Sequence, residues 1–308
     1  MGNVDALMQI VKLFIMIASG FILSKAGMLS SVMDKGISVI VVNLTWPCLI
    51  VVSLQREFSL DICKNMGLVA VMIAISIAIA YVSALVIRRV IKTDSKSMYL
   101  ITFMMMFANT GFMGIPVCTS LFGTEGTFYA AIADAMSDAF IFTVGLLILF
   151  KSKDASAKWQ LKNLIEPATI SIALGLILFV CQIRLPEILT SPMTTIGEAT
   201  IPLSMIGIGS MLAKAKMSEM LGDYRLYIMS LFKLLIIPGI MFVGLKLAFG
   251  DLNIFLKVII LESAMPVAAV APMITEQQGA DGEYMTKGMV LSTAISLVTV
   301  SIFTLLVA

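Results

Sequence analysis

The sequence predicts an all-α membrane protein of ten transmembrane helices, arranged as two inverted five-helix repeats with crossed, broken helices at spans four and nine. Three observations carry this reading. Of 308 residues, 59% are hydrophobic and 13% charged, with a mean hydropathy of +1.03, whereas a globular domain holds about 45–50% apolar and ~25% charged residues. The apolar residues gather into ten runs of about the 17–25 residues that a helix needs to cross hydrocarbon. Five runs lie on each side of a mid-chain polar stretch, and an odd number forces the second set to enter the membrane from the opposite side.

The first run, 5–25, carries Asp5 instead of a basic leader and shows no small-residue cleavage site, so it reads as a span and not a signal peptide. Ala6 stands where N-myristoylation needs Ser or Thr. Runs at 35–54, 66–88, 97–121 and 126–150 complete a first repeat over 1–150. The connection 151–166 is the longest polar segment. Runs at 167–184, 192–213, 224–249, 253–276 and 284–307 form a second repeat over 167–308.

Lysine and arginine orient the spans. One set of connections, including Arg88, Arg89, Lys151 and Lys158, holds fourteen basic residues, against five on the other side: Arg56, Lys64, Arg184, Lys246 and Lys257. The basic side is expected to be cytoplasmic, which puts the 151–166 loop inside the cell and both termini outside, in a plasma (inner) membrane.

A shift of 155 residues aligns the halves, bringing Gly20 onto Gly175, Pro47 onto Pro202 and Tyr129 onto Tyr284. Inverted repeats are characteristic of secondary transporters, whose sites lie near the midplane where helices are interrupted. The fourth run contains Asn109-Thr110-Gly111-Phe112-Met113-Gly114-Ile115-Pro116, and the ninth contains Glu262-Ser263-Ala264-Met265-Pro266 with Pro272 beyond. Proline removes a helical hydrogen bond and clashes with the preceding turn. Backbone freed in this way is tolerated at membrane depth only in a protein-lined or wet cavity. Each break alone is equally well a kink; two in corresponding spans point to a functional crossing. Pro116 and Pro266 are 150 apart, not 155, so the alignment needs a gap there.

Charges inside spans cost about 2.5–3.5 kcal/mol each at mid-bilayer on insertion scales. Asp134 and Asp138, one turn apart on the fifth run, share a face; with Ser137 they are placed to approach Asn109 and Glu262. Asp138 is the deeper of the two and Asp134 the nearer to interfacial water. Lys233 either pairs with one of these carboxylates or snorkels to the surface. The chain has no histidine, so a proton relay would have to use carboxylates. Cys48, Cys63, Cys118 and Cys181 show no paired spacing, and neither a zinc site nor a disulfide framework is expected. Basic residues are scattered, which argues against nucleic acid as a partner. An intramembrane aspartyl protease needs its two aspartates on facing helices, which Asp134 and Asp138 are not. A channel would show a repeated filter. A receptor remains open.

Asn109-Thr110 followed by Met113-Gly114-Ile115-Pro116 resembles the first crossover of the auxin efflux carriers; Ala264-Met265-Pro266 is similar to their second, and Pro47 fits the proline of their second span. The short central loop resembles that of prokaryotic members, among which malate and malonate permeases are found. The resemblance implies the fold of the bile acid sodium symporters: spans one, two, six and seven form a scaffold through which protomers dimerise, and the rest form a mobile domain. Where the plant carriers have a neutral amide this chain has Glu262, and Glu262-Ser263-Ala264-Met265 resembles the Glu-x-x-Met stretch of the bile acid symporters, whose Glu helps bind sodium.

These readings lead to one expectation. The chain is a carrier, not an enzyme, moving a small organic anion of malate, malonate or auxin-like weak-acid type by alternating access. It is a homodimer in contact with membrane lipid, coupled to sodium, with a proton-coupled or uncoupled carrier as the alternative. No cofactor is expected beyond the coupling ion. Substrate would be met by Asn109, Thr110, Gly111, Pro116, Met265, Pro266 and Pro47, and the cation by Glu262, Asn109, Asp138, Ser137 and Met265. Half-helix amino ends would hold the anion.

Overall fold

The structure, a computed structural model, describes residues 3–152, 167–215 and 222–308; the loop of 153–166 with Lys158 lies outside the described residues. Among the described residues every regular element is helical: α1 (Asn3–Lys25), α2 (Ser31–Ser53), α3 (Leu60–Val90), α4 (Ser95–Met106), α5 (Thr110–Lys151), α6 (Pro167–Val180), α7 (Glu187–Lys214), α8 (Tyr224–Phe249), α9 (Ile254–Ser263), α10 (Ala271–Gln277) and α11 (Gly282–Val307). Seven of them, α1, α2, α3, α5, α7, α8 and α11, are long and apolar enough to cross a membrane. Their outer faces are unlike those of a protein in water. Leu247 is 83% exposed, Ile188 80% and Val32 79%, and apolar exposure on this scale fits a lipid-facing surface. The chain is therefore an all-α, multi-pass membrane protein.

Local chemistry sets the helix ends. Ser30 accepts from the Met33 amide at the start of α2, Asp94 from those of Lys96 and Ser97 at α4, Asp223 from that of Arg225 at α8, and Asp281 from that of Tyr284 at α11. Each caps an orphan donor of the first turn. Burial works to raise the Asp223 carboxyl, but the bonds from Arg225 outweigh it and hold the group below the ordinary carboxylate range.

Prolines explain most of the irregular turns. Val41–Thr45, Thr110–Gly114 and Phe232–Ile236 are widened π-turns, each followed two residues later by a proline: Pro47, Pro116 and Pro238. A proline ring collides with the carbonyl four residues back, which here belongs to Asn43, Phe112 and Leu234, all inside the widened turn. The fourth, Ile141–Gly145, ends on a glycine where a Cβ would stand 2.9 Å from the Phe103 and Phe107 rings. Gly123 interrupts α5 with φ +62 and ψ −148, a left-handed position suited to glycine.

The runs read from sequence at 97–121, 167–184 and 253–276 are not single long helices. The first is α4, an extended link and the opening of α5; the second is the 14-residue α6; the third is α9 and α10 with Ala264–Val270 between them.

Among the described residues the chain forms two compact units, one of residues 3–70, 111–135 and 167–215, the other of 71–110, 136–152 and 222–308. Each draws on both halves of the sequence, and α3 and α5 contribute to both. In the first unit α1 lies against the second part of α7 at backbone distance. A Cβ on Gly20 would fall 2.1 Å from the Ile206 carbonyl oxygen, and one on Gly209 2.0 Å from that of Ile17. Small residues here permit the close approach that packs membrane helices. Gly175 of α6 takes Leu54 in the same way, and Arg56 lies 4.8 Å from the Phe128 ring centre. Thr45 and Thr200, 155 residues apart, share a hydroxyl hydrogen bond of 3.0 Å.

In the second unit α4, α8 and α11 start at a common end. There Arg225 donates to Asp223 and to Thr93, and its guanidinium lies 6.0 Å from the Tyr284 ring. Gly288 lets Met104 approach, since a Cβ would meet its sulfur at 2.1 Å.

Candidate functional site: two paired helix breaks

Helix α4 ends at Met106, and Phe107 takes an extended conformation, φ −111 and ψ 122. Helix α9 ends at Ser263, followed by a tight turn in which the Met265 amide donates to the Glu262 carbonyl at 3.3 Å. These two breaks pair with each other inside the second unit. The Asn109 amide donates to the Pro266 carbonyl at 2.7 Å, the Ala268 amide donates to the Phe107 carbonyl at 3.1 Å, and Ala108 and Val267 form an antiparallel bridge. The Val267 amide donates to the Ser292 hydroxyl on α11 at 3.2 Å. Backbone groups released by the breaks are thus satisfied within the protein, as buried polar groups require.

The side chains of the two breaks are enclosed. Glu262 is 1% exposed, Asn109 5% and Thr110 4%, and Met265 and Pro266 are buried; Ser137, on α5, is 5% exposed. All five residues of the expected cation set, Glu262, Asn109, Asp138, Ser137 and Met265, belong to the second unit. They offer a carboxylate pair, an amide, a hydroxyl and backbone carbonyls, which are hard oxygen donors of the kind that a small metal cation takes. Asp138 is half-buried, whereas Asp134, in the first unit, is 2% exposed. Asp134 is therefore the more enclosed of the two.

The expected substrate residues divide. Asn109, Thr110, Met265 and Pro266 stand in the second unit, and Gly111, Pro116 and Pro47 in the first. Gly111 is fixed by Trp46: a Cβ there would lie 2.0 Å from the indole Cη2, and the Trp46 ring is 6.0 Å from that of Phe112. Pro47 follows Trp46 and is half-buried.

Two side chains escaped assignment from sequence, and a third meets neither reading given to it. Trp46 is buried, and its indole N–H has no hydrogen-bond partner among the described residues; its position directly before Pro47 was a usable signal. Ser292 ties the paired breaks to α11, and no sequence spacing announced it. Lys233 is 2% exposed, and no carboxylate of the described residues stands within ion-pair distance of it. The structure gives it neither of its two expected fates.

A model of the membrane transport protein family matches residues 5–160 and 155–304. The chain is 26% identical over 305 residues to a protein of Methanothermobacter thermautotrophicus named as an uncharacterized transporter, covering 98% of both chains. It is 22% identical over 294 residues to a second protein so named, from Methanocaldococcus jannaschii, covering 94% of both.

Proposed function

The chain belongs to the membrane transport protein family, that of the auxin efflux carriers, and is thus a transporter and not an enzyme; from this premise we propose that it is a secondary carrier that moves a small organic anion by alternating access, coupled to sodium. The observation that carries the reading is the backbone pairing of Phe107–Asn109 with Pro266–Ala268. Two helices interrupted at the same place, in a buried and polar setting, are what a midplane carrier site uses.

In this reading the membrane is crossed ten times. The six long helices other than α5 each cross once, α6 crosses once, and α5 divides at Gly123. Its first arm joins α4 as the fourth span, its second arm is the fifth, and α9 with α10 is the ninth. The halves are inverted repeats. The Thr45–Thr200 contact, at the shift of 155, supports this, since equivalent residues meet at a two-fold axis. The equivalent glycines Gly20 and Gly175 also make close helix contacts, with Ile206 and with Leu54, although Leu54 stands three residues past Val51, the position that answers to Ile206. Helices α1, α2, α6 and α7 lie together in the first unit, which supports their assignment as the scaffold of a homodimer. Both termini face away from the cytoplasm.

Glu262 is the principal ion ligand, with Asn109, Ser137, Asp138 and the Met265 carbonyl around it. Asn109 and Thr110 meet the substrate, a malate- or malonate-like carboxylate or an auxin-like weak acid. The test is uptake by proteoliposomes across a panel of mono- and dicarboxylates and indole acids, with sodium and pH gradients imposed separately. Accumulation of one of these anions driven by sodium is expected. Uptake that follows pH alone would replace sodium by a proton, and uptake of none would remove the anion assignment.

A further inference from the structure

Lys233 lies in the π-turn Phe232–Ile236, opened by Pro238. It is the tenth residue of α8, about 13 Å along the axis from the helix start at 1.5 Å per residue. That distance exceeds the reach of a lysine side chain, and the residue is 2% exposed. Lys214 is paired with Asp34 and Arg225 with Asp223. Lys233 has no such partner among the described residues. One turn before it on the same face is Ser230, fully buried, whose hydroxyl also lacks a hydrogen-bond partner there.

Its height in the second unit can be read from its neighbours. Helices α8 and α11 start together, with Arg225 over Tyr284 and Leu226 beside Gly288. Seven residues on from Leu226 is Lys233; seven on from Gly288 is Ile295, in the turn that runs from Ser292 to Ser296. Ser292 is the residue that accepts from the Val267 amide in the paired breaks. The π-turn also packs against α4, which ends at the same breaks. Lys233 therefore stands at the level of Asn109 and Val267, and the turn of α11 at that level is lined by the buried hydroxyls of Ser292, Thr293 and Ser296.

We propose that the Lys233 ammonium is the fixed positive charge that binds a carboxylate of the transported anion, an inference that rests on the reading of the chain as an organic-anion carrier. A cation enclosed in a membrane protein needs a counter-ion or a wet cavity. The described carboxylates do not supply one, and an anionic solute arriving at the paired breaks does. The ammonium neutralises the solute while Glu262 and its neighbours hold the cation, so that each charge of the cargo has its own opposite in the protein. Ser230 adds a hydroxyl donor beside it.

The probe is malonate, tested on purified protein in two ways: counterflow in proteoliposomes, and thermal stabilisation in detergent. Lys233→Met is expected to raise the malonate KM at least about thirtyfold, the scale on which removal of one partner of a buried charge pair is felt. It also abolishes the stabilisation by malonate while leaving the ligand-free melting temperature within a few degrees. Lys233→Arg, which keeps the charge, restores both to within a few-fold, a rescue that a packing role does not predict. Should the methionine variant not be recovered folded, Lys233→Gln carries the same expectation. A wild-type KM in the methionine or glutamine variant overturns the role of Lys233 and leaves the carrier reading intact. Wild-type protein that neither transports nor is stabilised by any carboxylate of the panel overturns the carrier reading, and the assignment of Lys233 with it.

Discussion

The amide of Asn109 donates to the carbonyl of Pro266 across 2.7 Å, so the main chain of one helix break closes the other while the Asn109 side chain takes no part in that bond. Asn109→Ala is therefore expected to leave the pairing, insertion and gel-filtration profile unchanged and to abolish uptake. Wild-type uptake in this variant would reduce the break at Pro116 to a kink.

Glu262, 1% exposed, is the carboxylate nearest in sequence to the Met265-Pro266 turn. Glu262→Gln keeps the volume and removes the charge that a cation requires. Sodium-driven accumulation should disappear, while downhill exchange of substrate persists. The measurement is uptake against sodium concentration, and an unchanged sodium dependence would exclude Glu262 as the coupling ligand.

Gly111 is bounded by Trp46, and a Cβ added at this glycine would stand only 2.0 Å from the indole. Gly111→Ala is expected to cost about 1–3 kcal/mol through overpacking. Trp46→Leu in the same chain should recover most of that loss, because the two residues share one contact and their effects are non-additive. Thermal melting of the two single variants and the double variant reads the coupling; strictly additive losses would show that the clash is relieved elsewhere.

Asp223 caps α8 and holds Arg225 at 2.7 Å, and its carboxyl sits below the ordinary range. A carboxyl lowered in the folded state stabilises the fold above its unfolded pKa, near 3.9. That contribution is complete at neutral pH and is lost as pH falls below about 4. Asp223→Asn should lower the melting temperature at pH 7 and make less difference at pH 3, as measured by melting curves at the two pH values.

The charge distribution predicts that both termini lie outside the cytoplasm. A cysteine introduced near Ala308, in a background without Cys48, Cys63, Cys118 and Cys181, should react with an impermeant thiol reagent on intact cells, and one near Lys158 only after permeabilisation. The reverse pattern would invert the topology.

Sequence alone determined that this is a helical membrane protein and a transporter. Transfer from water to lipid is additive over residues, and hydropathy therefore survives without coordinates. It also located both helix breaks in their runs: Asn109 and Pro266 stand in them, while the defect made by Pro116 is local to the π-turn Thr110–Gly114, just beyond the first break. What the tertiary structure decided is everything that depends on which turns meet. That Phe107–Asn109 pairs with Pro266–Ala268, that Ser292 anchors Val267, that Gly111 exists to admit Trp46, and that Asp134 is more enclosed than Asp138 are relations between segments up to about 160 residues apart. Lys233 shows the difference most sharply. In sequence it was a charge in an apolar run with two ordinary fates, pairing or snorkelling. Only the packing of α8 against α4 and α11 denies it both, because burial and the absence of a neighbouring carboxylate among the described residues are properties of the surroundings and not of the residue.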